Sequence, residues 1–238
     1  MTKVLNANTI EVLKKLTDVN RIQVINYPYT VIGNDVNSLF AFFSTEAMGE
    51  EEFNKFAFYN ANEFLNLTNL FNDVEISIDD NSVLHLRGVD GNKSQYVTAS
   101  LGILSDYDKV TKDVLDATES SKKVCSFDFS VKDFTTLKKA SDVLSTLGEV
   151  NIKCADEKVT LKLYEGEEAQ GVSNEFTINV ENSSGNDVDI DIDIKLLRSL
   201  MVGDYEVSVY YSERIDTHRV VFTSKDVDTL QYLMAING

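Results

Sequence analysis

Four aspartates stand at alternate positions in Asp187-Val-Asp-Ile-Asp-Ile-Asp193, a spacing that could offer oxygen ligands to calcium. The calcium-loop pattern needs glycine at its sixth position and glutamate at its twelfth. Here those positions hold Ile192 and Arg198. Strict alternation instead predicts a strand with one solvated face. His85 and His218 are the only histidines, each in a strand-like run with no cysteine or second histidine nearby, so a structural role outweighs metal ligation. Cys125 and Cys154 also lie in apolar strand-like runs, which predicts buried reduced thiols rather than a disulfide or a nucleophile. The chain contains no glycine-rich phosphate loop and no nucleophile elbow. Carboxylate pairs are abundant, but in so acidic a chain their spacing carries no information. An enzyme is not expected, and neither a metal nor a cofactor is expected to be needed.

Basic residues say more. The formal net charge is −17, which predicts a soluble protein that repels nucleic acid and anionic membranes over most of its surface. Helical periodicity predicts four amphipathic helices, over residues 8–19, 60–71, 132–147 and 194–201. These helices hold seven basic residues, Lys14, Lys15, Lys132, Lys138, Lys139, Lys195 and Arg198. They hold five acidic ones, Glu11, Asp18, Glu63, Asp133 and Asp142. The helices are therefore +2, and the rest of the chain is −19. Lysines on a helix usually just solvate it. The alternative is a shared, weakly basic helical face turned toward a polyanion.

The elements around those helices recur. Each helix ends at a small polar turn, and an alternating strand begins at once. The junctions are Leu16-Thr-Asp-Val-Asn-Arg-Ile-Gln-Val-Ile25, Leu70-Phe-Asn-Asp-Val-Glu-Ile-Ser-Ile78, Thr146-Leu-Gly-Glu-Val-Asn-Ile-Lys153 and Leu200-Met-Val-Gly-Asp-Tyr-Glu-Val-Ser-Val209. About three strand-like runs follow each junction. Repeated supersecondary units mean repeated architecture. In the first half, strands are predicted near 21–25, 29–33, 38–44 and 55–59, then 74–79, 83–87 and 95–101. In the second half they are predicted near 125–131, 150–154, 159–164, 176–180 and 187–193, then 205–211, 219–223 and 229–235. Residues 165–171 read as a solvated loop, and 103–123 as a polar connector between two halves. Pro28 is the only proline, which suits long ladders that proline would interrupt. The longest apolar run, Leu39-Phe-Ala-Phe-Phe43, is far short of the roughly 20 residues a spanning helix needs, and the N-terminus shows no apolar signal region. A cytoplasmic protein, in a host cell if viral, is expected.

Two tandem halves, each of two strand-helix-three-strand units, resemble the DNA polymerase sliding clamps of the proliferating-cell nuclear antigen type. They are most similar to the clamps of large tailed bacteriophages. Residues 60–77 resemble the second helix and following strand of phage clamps. Met201-Val-Gly-Asp-Tyr-Glu-Val-Ser-Val resembles their fourth helix-to-strand turn, and Leu230-Gln-Tyr-Leu-Met-Ala-Ile236 resembles the last strand of cellular clamps. The resemblance covers essentially the whole chain in unit order, length and acidity.

It implies an α+β chain with the DNA-clamp fold, a domain over 1–104, a connector over 105–123 and a second domain over 124–238. It also implies a homotrimeric ring with helices inside and sheets outside, encircling double-stranded DNA without sequence readout. Lys14, Lys15, Lys132, Lys138, Lys139, Lys195 and Arg198 would then face the DNA. The second helix carries no Lys or Arg, which departs from the family pattern. A partner-peptide pocket would be formed by Ile103, Leu104 and Tyr107 with Tyr232, Leu233, Met234, Ala235 and Ile236. Residues 95–101 of one chain would pair with 176–180 of the next. A replicative DNA polymerase and an ATP-driven clamp loader are the implied partners, together with late-transcription factors. The rival reading is an acidic interaction module, such as a DNA mimic whose carboxylates stand in for phosphates.

Overall fold

Alternation and helix caps account for most of the element boundaries. The computed structural model describes residues 2–36, 38–166, 174–180, 183–185 and 187–236. Residues 167–171 of the predicted solvated loop lie outside them. The chain divides into two compact units. Met1–Asp113 with Asp228–Leu230 form one, and Val114–Val227 with Gln231–Gly238 form the other.

The first unit contains β1 (Thr2–Leu5), α1 (Ala7–Leu16), β2 (Gln23–Ile25), β3 (Tyr29–Gly33), β4 (Leu39–Ser44) and β5 (Phe56–Phe58). It continues with α2 (Ala61–Thr68), β6 (Glu75–Ile78), β7 (Val83–Arg87), β8 (Lys93–Val97) and a 3₁₀ turn at Ser105–Asp108. A four-stranded antiparallel sheet has the order β1-β6-β7-β8; β2 pairs with β5, and β3 with β4. Aromatic rings fill the core: Phe58 stacks on Phe64 at 4.6 Å, and Tyr96 meets both edge-on.

Helix α3 (Lys112–Glu119) leads into the second unit. There follow β9 (Lys122–Phe129), α4 (Val131–Val143), β10 (Glu149–Ala155), β11 (Lys158–Tyr164), β12 (Phe176–Val180) and β13 (Ser184–Gly185). The chain then forms β14 (Val188–Asp193), α5 (Ile194–Arg198), β15 (Tyr205–Ser212), β16 (Thr217–Ser224) and β17 (Gln231–Ala235). One sheet has the order β12-β11-β10-β14, and a second runs β13-β9-β15-β16-β17. In β14 the alternation works as predicted: Val188, Ile190 and Ile192 are buried, and the intervening aspartates are not. Leu137 of α4 and Leu197 of α5 meet Phe127, Phe129, Val150, Ile152, Leu161, Ile192 and Phe222 around a void of only about 10 Å³. The helices thus close against both sheets.

The four predicted helices are present as α1, α2, α4 and α5, and the class is α+β. Three departures have physical causes. Helix α4 stops at Val143 rather than Leu147, because Leu144, whose amide still donates to the Ala140 carbonyl, leaves the helical backbone region at φ −105° and ψ 69° as the chain turns toward β10. The connector holds a helix that the sequence reading did not assign. Only Leu115 and Thr118 of α3 are buried, too few to show periodicity. Strand β1 was also unassigned: Val4 and Leu5 are both buried, so it does not alternate, and its register on β6 slips at Lys3/Leu5.

Candidate nucleic-acid interface

The three helices that carry the predicted cations each have an N-cap side chain. Asn6 caps α1, accepting from the Thr9 amide at 3.0 Å. Glu50, only 7% exposed, accepts from the Asn6 amide at 2.8 Å and from the Thr9 hydroxyl at 2.5 Å. A carboxylate at a helix N-terminus satisfies orphan donors and complements the macrodipole. At the other end of α1, Lys14 and Lys15 occupy the last turn, where cations are favoured. Both are exposed, while Ile10, Val12, Leu13 and Leu16 are buried.

In the second unit Ser130 and Asp133 cap α4 reciprocally. The Ser130 hydroxyl accepts from the Asp133 amide and donates to its carboxylate. Asp193 caps α5 by accepting from the Lys195 amide at 2.7 Å. The two helices are tied directly. Lys138 donates to the Arg198 carbonyl at 3.3 Å, and its ammonium lies 5.5 Å from the centre of the Phe134 ring. Arg198 donates to the Ser141 hydroxyl through Nε and Nη2, and Nη2 also pairs with Asp142 at 2.6 Å.

The seven predicted cations therefore differ in availability. Lys14, Lys15, Lys132, Lys139 and Lys195 are exposed. Lys132 lines a cavity of about 490 Å³ together with Asp128, Asp133, Asp204 and Lys225. Lys195 stands near enough to Glu149 to act on its titration. Lys138 and Arg198 are half-buried and spent on the helix pair itself. Helix α2 offers Glu63, Asn62 and Asn66 instead of cations.

The predicted peptide-pocket residues fall in both units. In the first, Leu104 is buried with Val24 and Ala57, Tyr107 packs against that cluster, and Ile103 is 77% exposed. Tyr107 also lines a first-unit cavity of about 940 Å³ with Phe40, Tyr59, Asp18, Arg21 and Asp35, which the sequence did not signal. In the second unit Tyr232, Leu233 and Met234 are core side chains on β17, and Ala235 and Ile236 are half-buried.

Other candidates settle into structure. Cys125 and Cys154 are buried and unbridged, and burial with Cys154 alongside pushes the Cys125 thiol up to about 12. Such a buried thiol stays protonated at neutral pH and is a poor nucleophile. His85 pairs with Asp79 at 3.0 Å, and the hydrogen bond holds the Asp79 carboxyl below its ordinary range. Asn151 bridges Asp189 and Asp191 at 2.7 and 3.0 Å, so the aspartate ladder is knitted across strands. Among the described residues no cluster of three or more His, Cys, Asp or Glu side chains could hold a metal ion, and no helix is long and apolar enough to cross a membrane.

No protein-family profile and no curated protein matches the chain. Solved structures do. The PCNA of Thermococcus kodakaraensis superposes with a TM-score of 0.69 at 11% identity, covering 99% of each chain. A. fulgidus PCNA, solved with the C-terminal region of FEN-1, gives 0.68 at 10% identity, over 100% of this chain and 99% of that one. The DNA polymerase III beta chain of Streptococcus pneumoniae gives 0.63 at 14% identity; all of this chain matches 65% of that longer one. At such low identities the likeness establishes architecture. The chain has the fold of the DNA polymerase sliding clamps.

Proposed function

We propose that the chain is a sliding clamp, a processivity factor that encircles duplex DNA and tethers a replicative polymerase. The observation that carries this is where the positive charge lies. In a chain of net charge −17, exposed Lys14, Lys15, Lys139 and Lys195 project from three helices of a fold shared end to end with PCNA. Diffuse phosphate attraction without base readout is what a ring needs to hold DNA and still slide. An acidic exterior keeps DNA off the rim.

Closure into a homotrimer is supported by two strand edges. β8 and β12 each end their sheet with a single neighbour. Pairing β8 of one chain with β12 of the next removes both edges. The two clamp domains are 1–104 and 124–238, joined by 105–123. Partner peptides dock on the connector face marked by exposed Ile103 and by Tyr107. An ATP-driven loader opens the ring, and phage-type late-transcription factors use the same tether. The clamp acts by raising local polymerase concentration rather than by chemistry.

The test is synthesis on a primed circular template by the cognate polymerase. Wild type lengthens the products. A Lys14→Glu, Lys15→Glu, Lys139→Glu triple variant keeps its far-UV spectrum but loses the stimulation. Full stimulation by that variant overturns the proposal.

A further inference from the structure

Arg198 is the one helix cation whose guanidinium is both oriented and already paired. The Ser141 hydroxyl, in a residue 3% exposed, accepts from Nε at 3.1 Å and from Nη2 at 2.7 Å and donates to the Lys138 carbonyl at 2.8 Å. That buried anchor fixes the plane of the guanidinium without help from any charge. Nη2 then reaches Asp142 at 2.6 Å, and Nη1 makes no hydrogen bond among the described residues. Asp142 itself is 68% exposed, and it sits in the last turn of α4, where the helix dipole disfavours an anion. An exposed ion pair of this kind is weakly held. One carboxylate oxygen meets Nη2, as one oxygen of a phosphate diester would.

We infer that Asp142 is an internal stand-in for a DNA phosphate, one that neutralises Arg198 in the free protein and yields it to the duplex backbone on contact. The inference rests on the clamp reading above and adds a device to it. One cation is kept off the resting surface, which limits phosphate attraction and so favours sliding over sticking. Asp142 thereby masks the charge of Arg198, while Ser141 holds the guanidinium in place. It touches Arg198 and is displaced by DNA rather than bound to it.

The experiment titrates a fluorescein-labelled linear duplex by anisotropy, from about 50 to 200 mM KCl. It uses wild type, Asp142→Asn, Arg198→Ala and the double variant. Asp142→Asn is expected to bind severalfold more tightly at the low-salt end. Its log–log salt slope should match that of wild type, because Arg198 meets one phosphate in both complexes, whereas Arg198→Ala should lower the slope by about 0.9. Arg198→Ala should abolish that gain, so the double variant matches Arg198→Ala alone. A slope unchanged in Arg198→Ala, or no gain of affinity in Asp142→Asn, overturns the inference while the lysine variants still report on the clamp reading. Wild-type binding indifferent to every helix cation overturns both.

Discussion

Glu149 shows how a single carboxyl records its surroundings. It sits at the start of β10, opposite Asp193 in the ladder. Burial pushes its carboxyl above the ordinary range, the Asp193 and Asp191 charges add to that, and Lys195 pulls the other way. A carboxyl whose folded pKa is raised favours folding fully below its unfolded pKa, and that contribution is lost as pH rises through the folded value. At neutral pH the ionised Glu149 therefore burdens the fold. Glu149→Gln should melt higher than wild type at pH 7, by about 1 °C after solvent screening. The difference should vanish below about pH 4. Paired thermal scans at the two pH values check this, and a lower melting temperature at pH 7 would contradict it. Residue-scale pairings were the least legible part of the sequence. Arg198 reads as a free basic residue until Ser141 and Asp142, 57 and 56 positions away, are placed beside it.

At the scale of elements, the helices were legible because their apolar residues recur at 3.6 spacing and each buries one stripe. Strand β14 was legible because its alternation is strict. Helix α3 was not, since what holds it is tertiary. Arg219 donates to the Thr118 hydroxyl at 2.8 Å, and Gln231 donates to the Glu119 carboxylate at 2.8 Å. The anchor of α1 is equally invisible to periodicity. Glu50 lies 44 residues from Asn6, in the acidic run Glu50-Glu-Glu52, which carries no local sign of a helix contact. Glu50→Ala leaves the Asn6 amide and Thr9 hydroxyl without that acceptor. It should cost about 1–3 kcal/mol of unfolding free energy. Amide exchange should accelerate in the first turn of α1 before elsewhere, as local opening there becomes cheaper. Denaturant unfolding with exchange by residue measures both, and an unchanged midpoint would remove Glu50 as the anchor.

For the whole molecule, the architecture was legible in the repeat of helix, polar turn and alternating strands, because each unit repeats the same packing problem. The likeness to PCNA over 99% of each chain carries that architecture at 11% identity. Such persistence is expected where pattern rather than particular residues specifies a fold. The cavity of about 940 Å³ in the first unit was not legible, since residues from the turn after α1, from β3 and β4, from the residues just before α2 and from the 3₁₀ turn converge on it without any local motif. The encircling mechanism belongs to this scale, and it requires subunits. The most direct measurement is solution mass by light scattering after size exclusion, across a range of protein concentrations. The monomer is 26.7 kDa, and a ring predicts a species near three times that mass which persists as the sample is diluted toward the trimer's dissociation range. A monomer or dimer at every concentration would contradict encirclement of DNA.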